Sequence, residues 1–263
     1  KRKLINQTLN LGKKILKKEK LNIAEKITNF FCEKFVRKKI RNQFGGNLQA
    51  FVSGGGALDQ NIGEFLNAVG LPTLQGYGLT EASPVVSCNL PDLVKVDSVG
   101  PPFRTNQVKI AEDGEILVKG ENVMLGYWNL KEETEKVIKD GWLHTGDIGE
   151  IDSNNYLKIT DRKKDIIVNL GGDNISPSKV ENILCLNENI KQSFVYGDKK
   201  NYLVALIVTE KAINKEKIQL IIENMNKSLT LIEKIKKFIL IHEEFTIENR
   251  MLTPTLKLKR KEI

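Results

Sequence analysis

Two glycine-containing segments carry side chains that could hold a nucleotide. Residues 53–56 (SGGG) follow an apolar stretch, and glycine at such a place lets a ligand approach the backbone closely. In residues 75–81 (QGYGLTE), an aromatic ring between two glycines could lie flat against a planar base, while Thr80 and Glu81 could meet phosphate and a divalent cation. The first segment is the weaker signal, because a plain turn explains it equally well and no Gly-Lys-Ser/Thr follows as in a phosphate loop.

Four later segments add charged and polar groups. Residues 142–147 (WLHTGD) end on Asp147, whose carboxylate could accept hydrogen bonds from ribose hydroxyls, whereas His144 is expected to be a packing residue. Residues 160–165 (TDRKKD) form a charged knot, for which a solvated turn is the simpler interpretation when the segment is taken alone. The last two segments are a glycine loop before a helix start at 170–177 (LGGDNISP) and a basic tail at 253–261 (TPTLKLKRK).

The elements that must position the first segments alternate in type. An apolar strand at 48–52, a helix at 59–69 and a strand at 72–74 predict an α/β arrangement with parallel pairing. Hairpin signals follow, with strands at 107–111 and 115–119 and again at 147–151 and 156–160. This stretch therefore predicts a small β-rich subdomain after the α/β region.

The remainder predicts a compact α+β domain of about 100 residues, an ordinary domain size. Ser176 and Pro177 open a helix that runs to about residue 186, because proline suits the first helical turn. The other elements predicted here are strands at 166–168, 190–196, 202–209 and 238–241 and helices at 215–224 and 229–236.

Positive charge is concentrated at the beginning of the chain. The formal net charge is +8, yet residues 1–43 alone hold 14 lysines and arginines against 3 glutamates. This segment predicts two amphipathic helices, at 1–20 and 22–43. Their basic faces favour solvent exposure on a larger body, with a weak membrane-surface contact as the alternative, and no base-reading motif indicates nucleic acid.

The compartment is predicted from cysteine usage and hydropathy. The three cysteines are far apart and form no CxxC pair, which favours a reduced, cytoplasmic setting without zinc or disulfides. No apolar run approaches the ~20 residues that span a bilayer. The first residue is Lys rather than Met, so the numbering is expected to begin inside a longer protein.

The segments, in this order and spacing, resemble the AMP-forming adenylate superfamily of acyl-CoA synthetases, luciferases and peptide-synthetase adenylation domains. The resemblance runs from about Phe44 to the end of the chain. It rests on seven motifs: SGGGAL, GYGLTE, GYW, WLHTGD, DRKKD, GGDNISP and TPTLKLKRK. GGDNISP and TPTLKLKRK are most similar to the long-chain fatty acid–CoA ligase branch.

The resemblance implies a fold of class α/β plus α+β. Residues 1–163 would be the C-terminal part of the large AMP-binding domain, with basic helices at 1–43 and the nucleotide-site and β subdomain at 44–163. Residues 164–263 would be the mobile C-terminal domain, with its hinge at Lys164. The implied substrates are a fatty acid, ATP and CoA, with Mg²⁺ as the metal.

The resemblance also implies a role for each matching residue. Tyr77 would stack on adenine, and Asp147 and Arg162 would hold the ribose hydroxyls. The residues implied to contact the nucleotide are Gly54, Gly55, Gly56, Tyr77, Gly78, Thr80, Asp147, Arg162 and Asn174.

Catalysis would fall to Thr80, Glu81 and Lys257. Thr80 would contact the adenylate phosphate, Glu81 would bind Mg²⁺, and Lys257 would bridge the acyl carboxylate and the α-phosphate of ATP. Gly172 would line the tunnel that admits the pantetheine of CoA.

Two departures from the family pattern leave alternatives open. The family's Ser/Thr/Gly-rich loop ending in Pro-Lys-Gly has no match in this sequence, so the chain alone is expected to be inactive. Many relatives carry Ser-Gly before the catalytic lysine, where this chain has Thr255 and Leu256, and Lys259 is therefore the rival of Lys257. Acyl transfer to a carrier protein, and a non-catalytic nucleotide- or membrane-binding module, are the alternative functions.

Overall fold

A computed structural model gives the fold and describes residues 2–56, 58–210 and 213–263. The chain divides into two compact units, Lys1–Thr160 and Asp161–Ile263. The sequence places the division at Lys164, and that boundary stays a prediction. Within the described ranges, no helix is both long and apolar enough to cross a membrane.

The basic segment is helical, as its periodicity predicts. It comprises α1 (Arg2–Leu16), α2 (Ile23–Cys32), a π-helical turn (Glu33–Arg37) and α3 (Lys38–Gln43). Asn22 caps α2 and exchanges hydrogen bonds with Glu25 in a capping box. Helix α1 packs on α4 (Gln60–Ala68) so closely that a Cβ at Gly12 would lie 2.5 Å from the Cα of Ala68. The segment is thus attached to the body of the first unit.

A three-stranded sheet carries the first glycine segments. It consists of β1 (Phe51–Ser53), β2 (Thr73–Gly78) and β3 (Val85–Cys88) in that order. Strand β1 runs parallel to β2, with α4 between them in the sequence, which confirms the predicted α/β pairing. Strand β3 returns antiparallel to β2 after the Thr80–Ala82 turn of 3-10 helix.

The second sheet of this unit is the predicted β-rich subdomain. Its strand order is β4-β5-β7-β6, with β8 paired to β7. The bounds are β4 (Asn106–Ile110), β5 (Glu115–Gly120), α5 (Lys131–Val137), β6 (Ile138–Lys139), β7 (Trp142–Ile151) and β8 (Leu157–Arg162). Fully buried side chains of β5 and β7 pack in one core with Tyr77 of β2, so this core connects the two sheets.

The second unit has the α+β character that the sequence predicts. A three-stranded sheet of order β11-β12-β13 packs against α6 and α7, and a short hairpin β9–β10 precedes it. The bounds are β9 (Ile167–Val168), β10 (Asn174–Ile175), α6 (Pro177–Cys185), β11 (Gln192–Tyr196), β12 (Leu203–Val208), α7 (Lys215–Met225) and β13 (Ile235–Ile241).

The helix predicted at 229–236 is wrong. Only a 3-10 turn forms there, Leu231–Glu233, and Glu233 closes a capping box on Thr230. The chain then enters β13, where Ile235 pairs with Leu203 in parallel register and is buried. Pairing with β12 thus overrides a local pattern that favours a helix.

Candidate active site

The Gly54–Gly56 run lies in open space at the end of β1. All three glycines are exposed, and Gly55 has φ +82°, which favours glycine. A Cβ added at Gly55 or Gly56 would meet no heavy atom within 4 Å. Packing therefore gives no reason for glycine at position 56, whereas close approach of a ligand to the backbone would give one.

Tyr77 and Asp147, 70 residues apart in the sequence, meet directly. The Tyr77 hydroxyl donates a hydrogen bond of 2.7 Å to Oδ2 of Asp147. Tyr77 is 7% exposed and Asp147 is 8% exposed. The structure therefore brings together the expected adenine platform and the expected ribose ligand. Stacking of a base on Tyr77 stays a prediction, since most of the side chain is packed in the core.

Gly78 is required by packing against the returning strand. A Cβ at this position would lie 2.0 Å from the carbonyl oxygen of Pro84 and 2.7 Å from its carbon. The neighbouring Leu79 amide donates to the same carbonyl at 2.8 Å. Gly78 thus lets β2 and β3 come together beside Thr80, a structural reason for glycine in addition to the expected nucleotide contact.

Glu115, which sequence reasoning missed, supports the turn before Asp147. Its buried carboxylate accepts a hydrogen bond of 2.9 Å from the Gly146 amide, and its other oxygen lies 3.1 Å from Nδ1 of His144. Gly146 has φ +72°, and the Thr145 hydroxyl binds the Ile116 carbonyl at 2.8 Å. An acidic residue that opens a strand after an Asp-Gly turn gives no signal in the sequence that it will be buried.

Thr80 and Glu81 follow β2 in the 3-10 turn, with Thr80 exposed and Glu81 half-buried. The Tyr127 hydroxyl donates a hydrogen bond of 2.8 Å to Oε1 of Glu81. The Met124 amide binds the Glu81 carbonyl at 2.8 Å. Burial and this hydrogen bond raise the pKa of Tyr127, so its proton stays on the phenol and is donated to Glu81.

Glu81 suits a magnesium ion that arrives with a nucleotide. Among the described residues, no group of three or more His, Cys, Asp and Glu side chains could hold a metal alone. Magnesium commonly binds through one or two carboxylates together with substrate phosphates, and it keeps several waters. A single half-exposed carboxylate, oriented by Tyr127 and following Thr80 in the same 3-10 turn, fits that donor set.

In the second unit, the charged knot lies at the end of β8. Arg162 and Lys164 are exposed, and the Arg162 amide donates to Oδ1 of buried Asp161 at 2.6 Å. The Asp165 and Ile166 amides both bind the Arg162 carbonyl, which closes a turn around Lys164. A tight exposed turn is compatible with a hinge, and the hinge role of Lys164 stays a prediction.

Gly172 and Asn174 belong to the β9–β10 hairpin. Gly172 has φ +82°, and a Cβ there would meet nothing within 4 Å. Asn169 and Asp173 stabilise the loop, because the Asn169 side chain accepts from the Asp173 amide at 2.9 Å and donates to its carboxylate at 2.9 Å. The loop thus presents Gly172 and Asn174 to solvent in a defined conformation.

Lys257 lies near the tip of a β-hairpin formed by residues 251–260, here called the lysine hairpin. Thr253 and Lys257 pair through the Thr253 amide and the Lys257 carbonyl at 2.8 Å, and the Lys259 amide binds the Met251 carbonyl at 2.8 Å. Leu256, in the tip, has φ +61° although it is not glycine. Lys257 is exposed and Lys259 half-buried.

Two family models match the chain. Residues 6–128 match the model described as AMP-binding enzyme, and residues 164–260 match the AMP-binding enzyme C-terminal domain. The first match covers most of the first unit, and the second covers nearly all of the second unit.

Curated relatives and solved structures agree with these models. A long-chain-fatty-acid–CoA ligase FadD15 of Mycobacterium bovis is 36% identical over 87% of this chain and 42% of its own length. A long-chain-fatty-acid–CoA ligase 1 of Cavia porcellus is 33% identical over 89% of this chain and 39% of its own. The O-succinylbenzoate CoA synthetase MenE of Bacillus subtilis, solved with ATP and magnesium, superimposes with a TM-score of 0.67 at 29% identity, over 80% of this chain and 45% of its own.

The chain therefore spans about two fifths of the length of the curated relatives it matches.

Proposed function

The chain belongs to the family of AMP-binding enzymes, and we propose that it is the C-terminal part of a long-chain fatty acid–CoA ligase. The observation that carries the proposal is the contact between Tyr77 and Asp147, which joins two of the seven motifs at 2.7 Å. The fatty-acid preference is supported by curated relatives that are named long-chain-fatty-acid–CoA ligases.

The proposed reaction has two steps. A fatty acid carboxylate oxygen attacks the α-phosphorus of ATP, the bond to pyrophosphate breaks, and an acyl-adenylate forms. The thiol of CoA then attacks the acyl carbon, loses its proton and releases AMP. The first step depends on positioning and charge neutralisation, as phosphoryl transfer does in general.

The residues of the first unit would position the nucleotide. Asp147 would accept hydrogen bonds from the ribose. The backbone of Gly54–Gly56, which has no side chains, would let the adenine base approach closely. Thr80 would donate to the α-phosphate, and Glu81 would hold Mg²⁺, which supplies positive charge to the phosphates when bound. Tyr127 would orient Glu81, because its hydroxyl already occupies one carboxylate oxygen.

The residues of the second unit would complete the two steps. Arg162 would bind the ribose, Lys257 would bring an ammonium group to the carboxylate and α-phosphate, and Gly172 would admit pantetheine. Asn174 would lie by the phosphate during adenylation. A rotation of the C-terminal domain about Lys164 would then replace the face that carries Lys257 and Asn174 by the face that carries Gly172. Loss of one preorganised charge such as Lys257 typically costs ~10²–10³ in rate.

The direct test is an assay of the full-length enzyme with ATP, Mg²⁺, CoA and fatty acids from medium to very long chain. We expect AMP and acyl-CoA to form with long chains. Absence of fatty-acid-dependent AMP with every chain length would refute the proposal. Faster transfer to a holo-carrier protein than to CoA would instead favour the carrier-protein alternative.

A second test concerns the 263-residue chain alone. Since no Pro-Lys-Gly phosphate loop occurs in it, we expect it to form no acyl-adenylate. Turnover by the isolated chain would show that the triphosphate is held by residues other than that loop. A weak membrane-surface contact of helices α1–α3 and a cytoplasmic location also stay predictions; flotation with anionic liposomes tests the former.

A further inference from the structure

The base of the lysine hairpin is anchored to the second unit. Leu252 and Leu258 face each other across the hairpin. Leu252 is buried with Phe194, Val208 and Phe245, and Leu258 packs against the same cluster. The tip, with exposed Leu256 and Lys257, projects from this anchor. The position of Lys257 therefore depends on the contacts that hold the two strands of the hairpin in place.

An ion pair fixes the strand that follows Lys257. Nη2 of Arg260 lies 2.5 Å from Oε2 of Glu181 in α6, and Nη1 donates to the Val195 carbonyl at 3.3 Å. The guanidinium also lies over the Phe194 ring, 5.3 Å from its centroid. Arg260 is three residues after Lys257, so the Lys257 Cα lies within about 10 Å of the Cα of this fixed arginine.

Glu181 carries a buried carboxyl group, with the residue 6% exposed. Its Oε1 accepts from the Val195 amide at 2.7 Å, so both oxygens are used within the fold. The charges that act on it are those of Arg260 and Asp161, and its own charge contributes, after burial, to a raised pKa of the Cys185 thiol. Burial raises the pKa of Glu181 to about 7, and Arg260 opposes this effect.

Helix α6 also contacts the charged knot. The Ser178 hydroxyl lies 3.4 Å from Oδ1 of Asp161, one helical turn before Glu181. Oδ2 of Asp161 is buried and has no hydrogen-bond partner among the described residues. Helix α6 therefore contacts Asp161 through Ser178 and the lysine hairpin through Glu181.

We propose that Glu181 is a positioning residue for Lys257, acting through Arg260 to hold the lysine hairpin in the orientation that adenylation requires. The inference rests on the proposed function for its chemistry, and on the contacts above for its geometry. A purely structural role would lower stability and slow both steps alike. A positioning role acts on the step that uses Lys257 and spares the other.

The test compares Glu181→Gln with a matched control in the full-length enzyme. Both are assayed at a pH well above 7, where Glu181 is ionised; Gln keeps the size and one acceptor but removes the charge that binds Arg260. The control is Glu233→Gln, since Glu233 is also a buried carboxyl group, 8% exposed, and its ion pair is with Nζ of Lys179 at 2.6 Å rather than with a residue of the hairpin. Pyrophosphate exchange measures adenylation, and the reaction of supplied acyl-adenylate with CoA measures thioester formation.

We expect Glu181→Gln to slow adenylation about 10²-fold, the usual effect of a small displacement of a reacting group. Thioester formation should stay within about twofold of the wild type. The double variant with Arg260→Gln should lose less than the product of the two single effects, because the two substitutions share the loss of one contact. Glu233→Gln should leave the ratio of the two steps unchanged. Equal loss in both steps, or none in either, would overturn the proposal.

Amide hydrogen exchange separates this inference from the proposed function. In the 263-residue chain, at a pH well above 7, the Lys259 amide should exchange at least about tenfold faster in Glu181→Gln than in Glu233→Gln. If the wild-type enzyme made no acyl-adenylate while this difference appeared, the proposed function would fail and the anchoring would stand. Equal exchange in the two variants would refute the anchoring whatever the activity.

Discussion

Replacing Gly78 by alanine should destabilise the first unit, whereas replacing Gly56 should leave its stability unchanged. At Gly78 the new Cβ would lie 2.0 Å from the Pro84 carbonyl oxygen, whereas an ordinary contact begins near 3.4 Å. Strand β3 would have to retreat by more than about 1 Å, given ordinary C···O contacts of about 3.3–3.6 Å. Overpacking costs about 1–3 kcal/mol of unfolding free energy, and weakening of the hydrogen bond from the Leu79 amide to the Pro84 carbonyl costs about 1 kcal/mol more. We therefore expect Gly78→Ala to lose about 2–4 kcal/mol of unfolding free energy.

Gly56→Ala is the matched control, because no heavy atom lies within 4 Å of its added Cβ. Its unfolding free energy should stay within about 0.5 kcal/mol of the wild type, while AMP binding should weaken if the ligand approaches this backbone. Urea unfolding followed by tryptophan fluorescence suits the measurement, since the 2 tryptophans, Trp128 and Trp142, both lie in the first unit.

A Gly78→Ala variant as stable as the wild type would show that the approach of Pro84 to β2 does not require glycine at position 78. A Gly56→Ala variant as unstable as Gly78→Ala would show that the space around the added Cβ does not decide the loss. Calorimetric titration with AMP, on variants shown to be folded, then measures the ligand contribution separately.

Three further predictions concern single side chains. Leu256→Gly should stabilise the chain by about 1 kcal/mol relative to Leu256→Ala, because a left-handed residue other than glycine costs about 1–2 kcal/mol; equal urea midpoints would contradict this. Tyr127→Phe should raise the Mg²⁺ concentration for half-maximal pyrophosphate exchange about tenfold, since Glu81 loses its orienting donor; an unchanged requirement would exclude that role. Because burial raises the pKa of Glu181 from 4.5 to about 7, the stability it contributes is complete below pH 4.5 and is lost as pH rises through 7. Between pH 4.5 and 7, the unfolding free energy of the wild type should therefore fall relative to that of Glu181→Gln by up to about 3 kcal/mol, although above pH 7 the ionised carboxylate is the form that holds Arg260. Parallel pH profiles would refute the shift.

Local sequence patterns predict many of the helices and strands, because helix caps and apolar periodicity act between residues that are close in sequence. The parallel pair β1–β2 follows from strand, loop, helix and strand in sequence order, and the capped start of α6 follows from Ser176 and Pro177. Where a partner strand decides the outcome, the local pattern fails. Residues 229–236 have helical spacing, yet Ile235 is buried in β13 beside Leu203.

The sequence predicts which residue types form the candidate site, but it does not predict the contacts that support them. Tyr77 and Asp147 could be identified by motif, but their hydrogen bond joins elements 70 residues apart. Glu115 and Tyr127 were not assigned roles from sequence, because burial and partner geometry decide what they do. Leu256 is intermediate: the sequence shows a departure from Ser-Gly, and φ +61° gives the physical reason why glycine suits that position.

Adenylation itself is the central claim, and palmitate-dependent exchange of labelled pyrophosphate into ATP by the full-length enzyme measures it most directly. We predict exchange by the wild type, its loss in Lys257→Ala and its retention in Lys259→Ala. Loss in Lys259→Ala with retention in Lys257→Ala would move the catalytic role to Lys259. No exchange by the wild type with any fatty acid would contradict the account.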